Sequence, residues 1–154
     1  MEDILAPIRA SWGSSKVTIV SDGWTNTRQR PLINIIATSP KGAMFLKAED
    51  CSGEVKDAQF IADILIKSIE QIGPNKVVQV VTDNAPVCKA AGLIVESRFD
   101  HIFWTPCIVH NLNLILEEID NKVPWIKELT GQAREIVKFH HQPPPISSHI
   151  SRVL

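Results

Sequence analysis

Two aspartates stand where apolar, β-branched runs give out: Asp22 after Val17-Thr-Ile-Val-Ser, and Asp83 after Val77-Val-Gln-Val-Val-Thr. Runs of this composition read as strands. If the two strands are parallel neighbours, both acids emerge at the C-terminal edge of a sheet, where open α/β sheets bind their ligands. Paired carboxylates there hold hard divalent cations such as Mg²⁺ or Mn²⁺, and two such ions about 3.5–4 Å apart drive in-line phosphoryl displacement. Each aspartate also has a structural reading, because Asp22-Gly23 is a common turn dipeptide and Asp83 sits where a helix N-cap belongs. Cys107 and His110 form a second chemically able pair. Their three-residue spacing puts them on one face of an expected helix, where they could ligate a metal. No second Cys/His pair adjoins them to complete a structural zinc site, so a buried thiol and a hydrogen-bonded imidazole are the plain alternative.

The elements that must position these residues follow from pattern. Residues 1–16 read as a short lead-in, one helical turn around Ile4, Leu5 and Ile8 broken by Pro7. Val17–Asp22, Leu32–Thr38 and Ala43–Ala48 read as three strands, and their short links favour antiparallel pairing. From Asp57 to Ile72 the period changes to helical, with Phe60, Ile61, Ile64, Leu65, Ile69 and Ile72 on one face and Gly73-Pro74 as the stop. A fourth strand, Val77–Val81, precedes a helix over 84–98 with Pro86 in its first turn. His101–Thr105 is a short fifth strand, and helices follow from Pro106 and from Pro124 to Phe139. Leu112, Ile115, Leu116 and Ile119 give the first of these an apolar stripe. The prediction is an α/β chain with a mixed five-stranded sheet, three antiparallel strands then parallel crossovers, with flanking helices. The expected divisions are 1–16, one domain over 17–139, and a disordered Pro-rich tail over 140–154.

Composition narrows the function classes. The 154 residues are 44% apolar and 21% charged, which suits one soluble domain of ordinary size. With 16 basic and 17 acidic residues the formal charge is −1, so nothing demands non-specific nucleic-acid binding by the whole chain. No apolar run approaches the roughly 18 residues of a membrane span. Cys51, Cys88 and Cys107, odd in number and without framework spacing, read as reduced intracellular thiols. Trp24 and Trp104 could stack on bases, but both border strands and are expected to pack in the core. Arg28, Arg30 and Lys41 read as solvated loop cations rather than phosphate ligands.

Ser21-Asp-Gly-Trp-Thr25, Val81-Thr-Asp-Asn-Ala85 and Cys107-Ile-Val-His-Asn-Leu-Asn-Leu114, in this order, resemble hAT-superfamily transposases. They are similar above all to the plant domain-of-unknown-function family derived from them, whose proteins often carry a BED zinc finger. The resemblance covers about Val17 to Phe139 and implies a ribonuclease H-like fold. It makes Asp22 and Asp83 the first two catalytic acids and the metal ligands, with Mg²⁺ or Mn²⁺ as the cofactor of an active site. It places Cys107 and His110, the family's C-x-x-H motif, near the DNA end that is cleaved.

The chain also departs from that pattern. The third acid of hAT transposases, a glutamate, lies beyond a long helical insertion, and the dimerisation region lies later still; this sequence reaches Leu154 soon after the helix that would begin the insertion. Glu117, Glu118, Glu128 and Glu135 fall on the wrong elements to replace it. The leading expectation is therefore a C-terminally truncated, transposase-derived domain with a vestigial two-acid site and no independent catalysis. A metal-dependent DNA nuclease or strand-transferase completed in trans is one alternative, and a domesticated DNA- or protein-interaction module is another. The implied partners are DNA and a full-length transposase-like protein, without a membrane, and the resemblance favours the nucleus.

Overall fold

A polar break after every short apolar run sets the order of elements in this computed structural model, which describes residues 2–141. They are α1 (Glu2–Ser15), β1 (Val17–Thr25), β2 (Pro31–Ser39), β3 (Gly42–Asp50), α2 (Ala58–Ile72), β4 (Val77–Thr82), α3 (Pro86–Arg98), β5 (Phe103–Pro106), α4 (Ile108–Lys122) and α5 (Pro124–His141). From residue 142 onward the expected Pro-rich tail lies outside the described residues. The chain divides into two compact units, 1–111 and 112–154, a boundary inside the 17–139 span.

The first unit holds the sheet, in the order β3-β2-β1-β4-β5. β1, β2 and β3 pair antiparallel, as their tight links require, while β4 joins β1 and β5 joins β4 in parallel. This is the mixed five-stranded α/β sheet of a ribonuclease H-like fold, as the residue pattern and the motif resemblance led us to expect. Alternation puts Val17, Ile19 and Ser21 of β1, Ile33, Ile35 and Ala37 of β2, and Val80 and Thr82 of β4 on the face that is buried. α2 covers this face with Ile61, Ile64, Leu65, Ile69 and Ile72, all buried. Each such side chain contributes roughly 1.5–3 kcal/mol when removed from water. Asp57 caps α2, its carboxylate accepting the Phe60 N–H at 2.8 Å, and Gly73 ends it with a positive φ of 103°.

α1 departs from the expected single turn. It runs for 14 residues with Pro7 inside it. Trp12, 4% exposed, anchors it in the same core as Met44 and Ile72, and Leu5 packs against that core. Tertiary burial here outweighs the local cost of a proline. On the sheet's other face, Thr18 donates to the Gln79 side-chain oxygen at 3.0 Å, and the Gln79 amide donates to Thr105 at 2.8 Å. This polar ladder ties β1, β4 and β5 together.

The second unit begins within α4. The stripe Leu112, Ile115, Leu116 and Ile119 is exposed, as are Trp125, Leu129, Ile136 and Val137 of α5. Asp120 joins the two helices: it accepts from the Thr130 hydroxyl and pairs with Arg134 at 3.4 Å.

Candidate functional site

Strand register decides which residues share the sheet edge. β1 pairs with β4 up to Val20↔Val81, and β4 pairs with β5 through Val81↔Thr105 and Thr82↔Pro106. Val20, Val81 and Thr105 thus lie on one level, and two residues further along these parallel strands come Asp22, Asp83 and Cys107. The Cys107 N–H donates to the Thr82 carbonyl at 2.7 Å, holding the end of β5 against the end of β4. α4 begins at Ile108, one residue later than the helical reading of both Cys107 and His110 supposed. Cys107 is the flanking residue, its carbonyl accepting the Asn111 N–H at 3.1 Å, and His110 is exposed in the first turn.

The two aspartates differ in their surroundings. Asp22 is exposed, on the strand face opposite the buried Ser21. Asp83 is half-buried just past β4, and its Oδ1 accepts the Ala85 N–H at 3.0 Å in an Asx turn. The expected N-cap role therefore moves. Ala85 is the residue at the cap, with no side-chain cap bond, and Pro86 takes the first helical position as its missing donor allows.

Asp83 also lines a cleft of about 260 Å³, together with Ser21, Trp24, Lys56, Thr82 and Cys88 among others. Cys88 adjoins Asp83 in this cleft. Burial foremost, then the neighbouring Asp83 carboxylate, push the Cys88 thiol up to about 12, against a smaller opposing effect of Thr82. Cys51 is pushed up as well, again mainly by burial. In the sequence Cys88 reads only as a reduced thiol, although a signal for its place at the cleft is present. It is the third residue of α3, a position whose side chain reaches back over the helix start. Lys56 carries no such signal, because it reaches the cleft from the irregular stretch before α2.

The tryptophans part company. Trp104 packs against the core as expected. Trp24 does not; it is 46% exposed and lines the cleft. The reason is that β1 outruns β4: its last residues, to Thr25↔Pro31, pair only with β2. Arg30 forms an exposed ion pair with Asp50 at 3.2 Å, while Arg28 and Lys41 are exposed, in keeping with solvated cations.

Among the described residues, no three His, Cys, Asp or Glu side chains gather as a metal-holding group. Asp22 and Asp83 remain, at one register level, with Asp83 lining the cleft and Asp22 on the exposed face of β1 outside its lining. That donor set fits Mg²⁺ or a similar ion, which is commonly held by one or two carboxylates and completed by waters and substrate phosphates. It does not fit a structural zinc, which needs four ligands.

Among solved structures, the chain is similar to the HTLV-2 integrase catalytic core domain in complex with magnesium, in its dimeric form. The TM-score is 0.41 and the identity 13%, over 70% of this chain and 72% of that one. The trimeric form gives a TM-score of 0.38 and 14% identity, over 68% and 69% of the two chains. A chain of the simian T-cell lymphotropic virus intasome, in complex with PP2A regulatory subunit B56 gamma, gives 0.38 and 15%, over 67% of this chain and 40% of that one. No curated protein matches the sequence. No helix among the described residues is long and apolar enough to cross a membrane. The family model "Domain of unknown function (DUF659)" matches residues 1–136, nearly the whole chain and both aspartate motifs, and the chain belongs to that family.

Proposed function

We propose that this chain is a transposase-derived domain of hAT descent that engages DNA through a divalent cation held by Asp22 and Asp83. One observation carries the reading: the two acids follow the same register level on the adjacent parallel strands β1 and β4. A Mg²⁺ or Mn²⁺ ion bound there supplies charge neutralisation at a backbone phosphate. Asp22, exposed, meets the ion from the solvent side, while the Ala85 N–H fixes the Asp83 carboxylate. Cys107 follows the end of β5 at the same level, and His110 stands in the first turn of α4, where free backbone N–H groups favour a phosphate. We assign both to the DNA side of the site.

Two carboxylates bind an ion without completing a cleavage site. The domain therefore binds metal and DNA but does not cut unaided, and a third acid comes from another segment or another transposase-like chain. The nucleus is the compartment this reading requires. Calorimetric titration of Mn²⁺ into the protein, wild type against Asp22→Asn and Asp83→Asn, tests it. Saturable binding in the wild type, lost in each variant, is expected. Equal absence of binding in all three refutes the metal site and leaves an interaction module. Metal-dependent nicking of DNA by this chain alone would show instead an active nuclease.

A further inference from the structure

One stripe of α3 reaches two neighbouring strands. Cys88, Gly92 and Glu96 recur every fourth residue, so they lie on one helix face. Cys88 adjoins Asp83 in the cleft. Gly92 leaves room for the Trp104 ring; a Cβ there would stand 2.2 Å from Trp104 Cγ. Glu96 accepts the Trp104 backbone N–H at 2.8 Å. From Trp104 the contacts continue into β4: its indole N–H donates to the Thr82 hydroxyl at 2.9 Å, and that hydroxyl donates to the Asp83 carbonyl at 2.8 Å. Thr82 is 2% exposed, and its own carbonyl accepts the Cys107 N–H. Asp83 is thus held twice, at its carboxylate by the Ala85 N–H and at its backbone by Thr82, with Cys88 beside it.

We infer that Thr82, Cys88 and Trp104 are positioning residues for Asp83, acting as a bracket that sets the direction in which its carboxylate meets a cation. The inference rests on the metal-site reading above and deepens it. An ionised carboxylate accepts at about four sites, so the Ala85 N–H leaves capacity both for the neighbouring Cys88 thiol and for a metal. Partners that orient a ligating carboxylate in this way typically change metal affinity by about 10–100-fold when removed.

The test pairs a variant that removes each donor with one that keeps it: Thr82→Val against Thr82→Ser, and Cys88→Ala against Cys88→Ser. Mn²⁺ affinity is measured by calorimetry, and hydrogen exchange of the Ala85 amide, which reports the Asp83 turn without any metal, is measured by NMR. Thr82→Val and Cys88→Ala are expected to weaken Mn²⁺ binding about tenfold or more and to speed Ala85 exchange, while the serine variants stay near wild type. If the wild type binds no Mn²⁺ yet exchange responds in this pattern, the metal reading falls and the bracket stands. If Asp83→Asn abolishes binding while Thr82→Val and Cys88→Ala leave both affinity and exchange unchanged, the bracket falls and the metal reading stands. Equal effects of the serine and the donor-deleting variants would also overturn it, since that pattern marks general loosening.

Discussion

Gly92→Ala places one methyl group where the structure has no room. The new Cβ would lie 2.2, 2.5 and 2.7 Å from Trp104 Cγ, Cδ1 and Cβ, against a ring root rather than the free end of a flexible chain. Alanine would ordinarily favour the helix by about 1 kcal/mol over glycine. Overpacking a close contact costs about 1–3 kcal/mol. Moving Trp104 also strains its bonds to Glu96 and Thr82, each worth about 0.5–1.5 kcal/mol net. The balance is a loss of about 1–5 kcal/mol, centred near 3, a sizeable share of the roughly 5–15 kcal/mol that holds a domain folded. Urea unfolding followed by tryptophan fluorescence should show the midpoint falling by about 1 M or more with the slope unchanged. Gly13→Ala is the control, because Gly13 is also helical and a Cβ there meets nothing within 4 Å. It should leave the midpoint level or slightly raised. A Gly92→Ala protein as stable as the wild type would refute the close approach of α3 to β5 and the bracket built upon it.

Three further outcomes can be measured. The Cys88 thiol lies above its ordinary value of 9.0, at about 12, so the folded chain keeps its proton where the unfolded chain has lost it. Its contribution is whole below pH 9 and is lost as pH rises toward about 12; urea midpoints of wild type and Cys88→Ala should differ in slope across that range, and parallel curves would refute the shift. At pH 8, iodoacetamide should spare Cys51 and Cys88 in the folded chain and label both in urea, as peptide mass spectrometry can read. Asp57→Ala, which removes the acceptor 2.8 Å from the Phe60 N–H, should cost about 0.5–2 kcal/mol in the same unfolding assay.

Much of the sheet was legible in the sequence because its signals are local. Asp57, the four-turn apolar spacing and Gly73 defined α2 before any coordinates, and the short links among the first three strands left antiparallel pairing as the simple solution. The parallel placement of β1 beside β4 was legible too, since it follows from strand order. What escaped depends on contacts between distant residues. α1 persists through Pro7 because Trp12 is buried against Met44 and Ile72, a gain no window around Pro7 reveals. Trp24 was misplaced in the core because strand composition does not say how far β1 outruns β4. The bond of Thr82 to Asp83 and the place of Cys88 beside it needed the helix start and the strand end in one frame.

The four-residue spacing of Cys88, Gly92 and Glu96 has a consequence for how this segment can change over generations. Each residue turns an α-helix by about 100°. A single insertion or deletion between positions 88 and 96 would swing one anchor away from its target while the others stayed. The segment can accept substitutions on its outer face, where Leu93 and Ser97 are exposed, but its length between the first anchor and the last is fixed. Gain or loss of residues in this half of the domain should therefore be confined to the loops at either end of the helix.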